Sequence, residues 1–167
     1  MQWVTRTNVR LDRAACAWLI VRHIDPRAEI AFVEAGEIDA AVAAGALPFH
    51  NTTSEDSDLG ERTSFDLLLA EYKLDQNNPA LLLLSDIVHG AETKGPEAIA
   101  ESEGLRAIAK GANALAANDE EMVERMLPIF DALYAYCRRR VVGQRGWANN
   151  DVSIQSPEAL PTAHGKQ

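Results

Sequence analysis

A chain of 167 residues, 47% hydrophobic and 25% charged, has the make-up of one soluble globular domain. Sixteen Lys and Arg stand against twenty-five Asp and Glu, a net charge of -9 that argues against a grip on nucleic-acid phosphates by this chain alone. The longest apolar run, Pro79 to Leu84, is far short of the roughly 20 residues of a membrane span. The first eight residues lack the apolar core and cleavage site of a secretory signal, so a cytoplasmic location is expected.

Gln2 to Arg6 predicts a short strand, and Leu11 to Ile24 a helix with Leu11, Ala14, Ala15, Trp18, Leu19 and Val21 on its buried side. Asp25-Pro26 ends it, because a residue before proline avoids the helical region. Ala28 to Glu34 predicts a buried strand, with Ile30 and Phe32 on one face and Ala31 and Val33 on the other. Glu37 to Ala44 reads as a short helix, and Asn51 to Glu61, the most acidic stretch, as a loop. Ser64 is the expected N-cap of a helix over Phe65 to Tyr72. Asn78-Pro79 supplies the cap and first turn of another that reaches about His89.

Leu105, Ile108, Ala109, Ala112 and Leu115 recur at threes and fours in a helix over Ser102 to Leu115. Asn118 with Glu121 resembles a capping box for a last helix to about Arg140, its core stripe running through Val123, Met126 or Leu127, Phe130 and Cys137. Pro128 predicts a kink there or a separated first turn. The expected fold is a helix-rich α+β domain in which two or three short N-terminal strands pack with a bundle of four to five helices. That domain covers residues 1–144, with a flexible tail over 145–167.

Residues 1–27 carry five Arg against two Asp, a local net of +3 within an acidic chain. Such a patch can focus potential on one small anion, so Arg6, Arg10 and Arg13 are candidate oxyanion ligands; the alternative is that they are ordinary solvated residues paired with acids. Asp12 is expected to cap or neutralise, leaving Arg13 to orient a ligand or clamp the following strand. Cys16 lies one turn from Arg13, where a thiol gains thiolate character suited to redox chemistry; among Ala14, Ala15, Ala17 and Trp18 a small buried core residue is the commoner role. Neither Cys16 nor Cys137 belongs to a CxxC, and both are expected as free thiols.

His89 follows Ser85 and Asp86 and precedes Glu92 at helical spacing. It can serve as a metal ligand with one of those carboxylates, as a base oriented by one, or simply as a surface histidine among acids. One helix cannot close such a site. The acidic loop with His50, Glu55, Asp58 and Glu61 would have to supply the remainder, with a divalent metal ion as the implied cofactor. A composite site is therefore expected where the Leu11 helix, the acidic loop and the His89 helix converge, drawing on Arg13, Cys16, Glu55, Asp58, His89 and Glu92.

Several blocks resemble the C-terminal domain of the chromate-resistance ChrB family: Trp3-Val4-Thr5-Arg6, Val9 to Ile20 with its DR-x-A-C-x-W-L-I pattern, and Ile24-Asp25-Pro26. Pro48-Phe49, Gly60 to Asp66, Asp86 to Glu92 and Phe130 to Arg138 continue it, so the likeness spans roughly residues 2 to 140. The resemblance implies a role in bacterial chromate resistance, for a cytoplasmic domain that binds or responds to an oxyanion or metal ion. Family members are regarded as chromate-responsive regulators with a separate N-terminal part. Where they often have His before the Gly-Glu-Arg block this chain has Asp58, which still suits a hard metal. Where they often have Cys it has Thr63, which cannot replace a thiolate. A metal-dependent enzyme acting on a small molecule through His89 and the acidic residues is the alternative.

Overall fold

The computed structural model describes residues 1–49, 62–93 and 99–146, with side chains through 143. Strand β1 (Gln2–Arg6) leads into helix α1 (Leu11–Leu19), which passes into a π-helical turn over Ile20–Ile24. Then come β2 (Glu29–Val33), α2 (Ile38–Ala43), β3 (Leu47–Pro48), α3 (Ser64–Glu71), α4 (Pro79–Thr93), α5 (Ala100–Leu115) and α6 (Asp119–Gly146). This is the expected helix-rich α+β domain. The predicted acidic loop and residues 147–167 of the predicted tail lie outside the described residues, and α6 itself continues to Gly146. Among the described residues no helix is long and apolar enough to cross a membrane.

The three strands are parallel in the order β2-β1-β3, with Trp3 opposite both Ile30 and Leu47. A helix separates each strand from the next, the connection that parallel pairing requires. Alternation along β1 divides the interior. Trp3 joins the main core of the helical bundle, whereas Val4 joins Ile38 and Ala46 in a small cluster under α2. The strand expected to be buried at Ala28 to Glu34 is an edge strand: among the described residues β2 has only β1 beside it, and its apolar residues are half-buried.

Helix α1 is the axle of the bundle. From Ala14 to Leu19 every residue is buried, and its three alanines let α3, α4 and α6 approach closely. Trp18 stacks at an angle on Phe130 of α6, and its indole N–H donates to Asp131 at 2.8 Å. Buried Ser102 of α5 donates to the Ile87 carbonyl at 2.9 Å, joining α5 to α4.

Local chemistry moved several boundaries. The helix predicted through Ile24 widens after Leu19, with Asp25 N–H reaching the Ile20 carbonyl at 2.8 Å. That wider turn carries Arg22 onto Asp131 and His23 against Trp18 and Tyr134. The α3 cap is Thr63 rather than Ser64, because the carboxylate three residues after Thr63, on Asp66, completes a reciprocal capping box. At α6, Glu121 N–H donates to the Asn118 side chain, but the Glu121 carboxylate takes Ala117 N–H, so the predicted box is only half formed. Pro128 lies inside a single helix and splits off no first turn.

Candidate functional site

In the turn between β1 and α1, Thr7 N–H still donates to the Val33 carbonyl of β2 at 2.9 Å, and Asn8 then adopts a left-handed φ of 64°. Three side chains hold the turn. Arg13 Nη1 donates to the carbonyls of Arg6, Thr7 and Asn8 at 3.3, 2.8 and 2.9 Å. Asp119, at the start of α6, accepts the N–H groups of Asn8 and Val9 at 3.0 and 2.7 Å, and Asn113 donates to the Val9 carbonyl at 3.3 Å. Arg13 thus clamps the turn before its own helix, not the strand after it. Burial lowers its pKa, and Arg6 adds to that. Arg6 is half-buried with its Nε enclosed and without a partner among the described residues, while Arg10 projects from the turn, exposed.

A line of carboxylates joins α1, α3 and α4. Asp12 accepts the N–H groups of Ser64 and Phe65 at 3.3 and 3.2 Å, so a side chain of α1 caps α3 at its positive end. Glu92 in turn accepts Asp12 N–H at 3.1 Å. Asp66 takes the hydroxyl of Ser85, both the hydroxyl and the N–H of Thr63, and faces His89 Nδ1 at 3.4 Å. Burial alone would raise the Asp66 pKa, but the hydrogen bonds from Ser85 and Thr63 and the contact with His89 hold it below the ordinary carboxylate value. Asp86 moves the other way, raised by burial and by the charge of Asp66.

Cys16 lies beneath this line, fully enclosed. Burial pushes its thiol well up, Asp12 and Asp66 push further, and Arg13 opposes them only weakly. The expected thiolate character is reversed, chiefly because burial disfavours the charged form, which Arg13 offsets only in part. Cys137 is likewise buried, with its thiol raised to about 11. Of the expected composite, α1 and the His89 helix do converge, with Asp66 between them. Glu55, Asp58, His50 and Glu61 lie outside the described residues, and among the described residues no three His, Cys, Asp or Glu gather as a metal site.

On the far side of Glu92 a cleft of about 300 Å³ opens between the start of α1, the end of α4 and α5. Its polar wall is Arg10, Glu92, Arg106, Lys110 and Asn113, and its floor is Leu11, Ala91, Ala109 and Met122. Arg106 Nε and Nη2 each reach a carbonyl in the last turn of α4, those of Ala91 and Gly90, at 2.6 Å, which satisfies that helix end and fixes the guanidinium. Among the described residues the side chains of Arg10 and Lys110 make no hydrogen bond or ion pair. Of these cations only Arg10 stood out in the sequence. Arg106, Lys110 and Asn113, spaced four and three apart on α5, are a polar stripe that helical spacing would have revealed.

Residues 3–137 match the C-terminal domain of ChrB. The chain belongs to this family. Protein ChrB of Cupriavidus metallidurans is 34% identical over 136 residues, which make up 81% of this chain and 40% of that protein. The chain therefore spans about 40% of the length of the curated relative that it matches. No solved structure matches it. The ChrB-like blocks coincide with the parts just described: Trp3 to Arg6 is the central strand, Arg13 and Cys16 lie on α1, Ser64 to Asp66 opens α3, and His89 and Glu92 end α4. At Thr63, where ChrB domains often carry Cys, the hydroxyl caps a helix.

Proposed function

We propose that this chain is an oxyanion-responsive domain serving chromate resistance, with its anion site in the cleft of Arg10, Arg106 and Lys110. The observation that carries this reading is the convergence of three cations on one recess, two of them without partners among the described residues, in a chain of net charge -9. Glu92 shares the wall and Glu103 pairs with Arg106, so the cations outnumber the carboxylates by one, and Arg10 and Lys110 are left to meet a small oxyanion. The overall negative charge discourages polyanions while the recess attracts a small anion. Arg6 and Arg13 serve it from behind: Arg13 sets the turn that presents Arg10, and Arg6 lies beside it. Calorimetric titration with chromate, sulfate and phosphate at low salt tests the reading. Arg10→Ala and Lys110→Ala are each expected to weaken binding about tenfold, a loss of about 1.4 kcal/mol. No binding of any of the three anions overturns it.

A second reading rests on the Asp66 and His89 pair. A carboxylate on Nδ1 orients an imidazole so that Nε2 is presented to a metal ion or a proton, the arrangement that supports histidine ligands in metal enzymes. Glu55, Asp58 and Glu92 would be its partners in a metal-dependent enzyme. Elemental analysis of protein produced with added manganese, iron and zinc separates the two readings. Stoichiometric metal that His89→Ala abolishes favours the enzyme, and metal-free protein removes it.

A further inference from the structure

The cationic cleft continues on one side into a second recess of about 230 Å³, and the two share Arg10, Asn113 and Met122. Building on the anion reading of the first recess, we propose that the pair is one two-part site for a phosphate monoester with a hydroxyl-bearing organic body. The cations take the phosphate, and the second recess takes the body.

Size is the first reason. The cationic recess alone is at the lower edge of the roughly 300–1,000 Å³ typical of organic ligand sites, far more room than a lone tetrahedral anion fills. Its floor is apolar, with Leu11 and Met122 offering nothing to a bare oxyanion but ample contact to carbon.

The second reason is the hydrogen-bonding capacity left in the other recess. Asn113 spends an amide N–H on the Val9 carbonyl, which leaves its carbonyl oxygen as an acceptor. Asn118 spends its carbonyl oxygen on Glu121 N–H, which leaves its amide N–H groups as donors. A hydroxyl both donates and accepts, so it satisfies the two together. Asp119 lines this recess too and offsets the shared Arg10, so the ligand's charge is drawn to the first recess, where Arg106 and Lys110 stand.

Titration of the whole chain with inorganic phosphate, ribose 5-phosphate and ribose 1,5-bisphosphate tests the proposal. Ribose 5-phosphate is expected to bind about tenfold more tightly than phosphate, the gain of one or two additional hydrogen bonds, and more tightly than the bisphosphate. Ala117→Trp, at an exposed position in the second recess, should erase that margin and leave phosphate affinity unchanged. Asn118→Ser, which keeps a capping oxygen for α6, should narrow it independently and serves if the tryptophan variant does not fold. Lys110→Ala should weaken phosphate and ribose 5-phosphate alike. Phosphate that binds as well as its ribose ester overturns the two-part site but spares the anion reading. Failure of phosphate and both esters to bind removes the two-part site, and the anion reading falls with it when chromate and sulfate also fail to bind.

Discussion

The two ends of α1 are built from opposite materials. Near its last turn Trp18 packs against Phe130, Tyr134 and His23, with ring centroids 6.0, 5.5 and 5.1 Å away, and the polar atoms there serve mainly to lock rings in place. At its first turn Asp12 and Arg13 serve backbone groups of α3 and the β1–α1 turn, and apolar burial plays a lesser part. Stability comes chiefly from the aromatic end, where large apolar side chains leave water. The polar end contributes position: its charged groups are consumed in fixing the backbone, and those left over, Arg10 and Lys110, face the cleft. An arginine counted as a ligand in the sequence is therefore available only where no backbone carbonyl has already claimed it.

Truncation at the aromatic end should have the largest effect. Trp18→Ala is expected to cost about 3–5 kcal/mol in urea unfolding, because a fully buried indole leaves a cavity that its neighbours cannot refill. A loss under about 1 kcal/mol would erase the contrast between the two ends.

Arg13→Ala should come next, at about 2 kcal/mol, since three carbonyls lose a charged donor yet regain water at a partly exposed turn. Arg13→Lys should recover little, because an ammonium lacks the planar fork of the guanidinium. An Arg13→Ala cost equal to that of Trp18→Ala would make the polar end an equal source of stability.

Acid should act in two windows, the upper one confined to the aromatic end. Burial lowers the His23 pKa, so its contribution is complete above the unfolded value near 6.5 and is lost as pH falls through the folded value. Asp66 is also depressed, so its contribution is intact above an unfolded value near 3.9 and disappears only at lower pH. Stability measured against pH should thus decline in two steps. His23→Gln should remove the upper one, and Asp66→Asn should shrink the lower, to which Asp131, held down by Arg22, also contributes. One step that both variants alter equally would mean that the two ends titrate as a unit.

The smallest effect belongs to the cleft. Lys110→Ala should change stability by less than about 0.5 kcal/mol, since the ammonium is exposed and has no partner among the described residues. A larger cost, seen in the same urea titration, would show that Lys110 is spent on the fold as Arg13 is.

Hydrophobic spacing made α1, α4, α5 and α6 legible to within a few residues, because burying one face of a helix imposes a period that local sequence must obey. Neighbouring residues were harder to tell apart. Thr63 and Ser64 are both good caps, and the choice fell to the one whose third successor carries a carboxylate. Asp66 could not be singled out as part of a site, because Ser85 and His89 stand 19 and 23 positions away and meet it only when α3 packs beside α4.

The amino-acid order by itself determined the helix-rich α+β class, a short strand at Gln2–Arg6 and a family likeness carried by contiguous blocks, since each depends on residues close together in the chain. Tertiary structure decided which charges are spent and which are left. Arg13 is bound to the turn, Arg106 to the end of α4, and Arg10 and Lys110 meet across a cleft formed by helices that lie about a hundred residues apart in the chain. A side chain's hydrogen-bond partners are chosen by what packing brings within about 3 Å, and only the folded chain sets that distance.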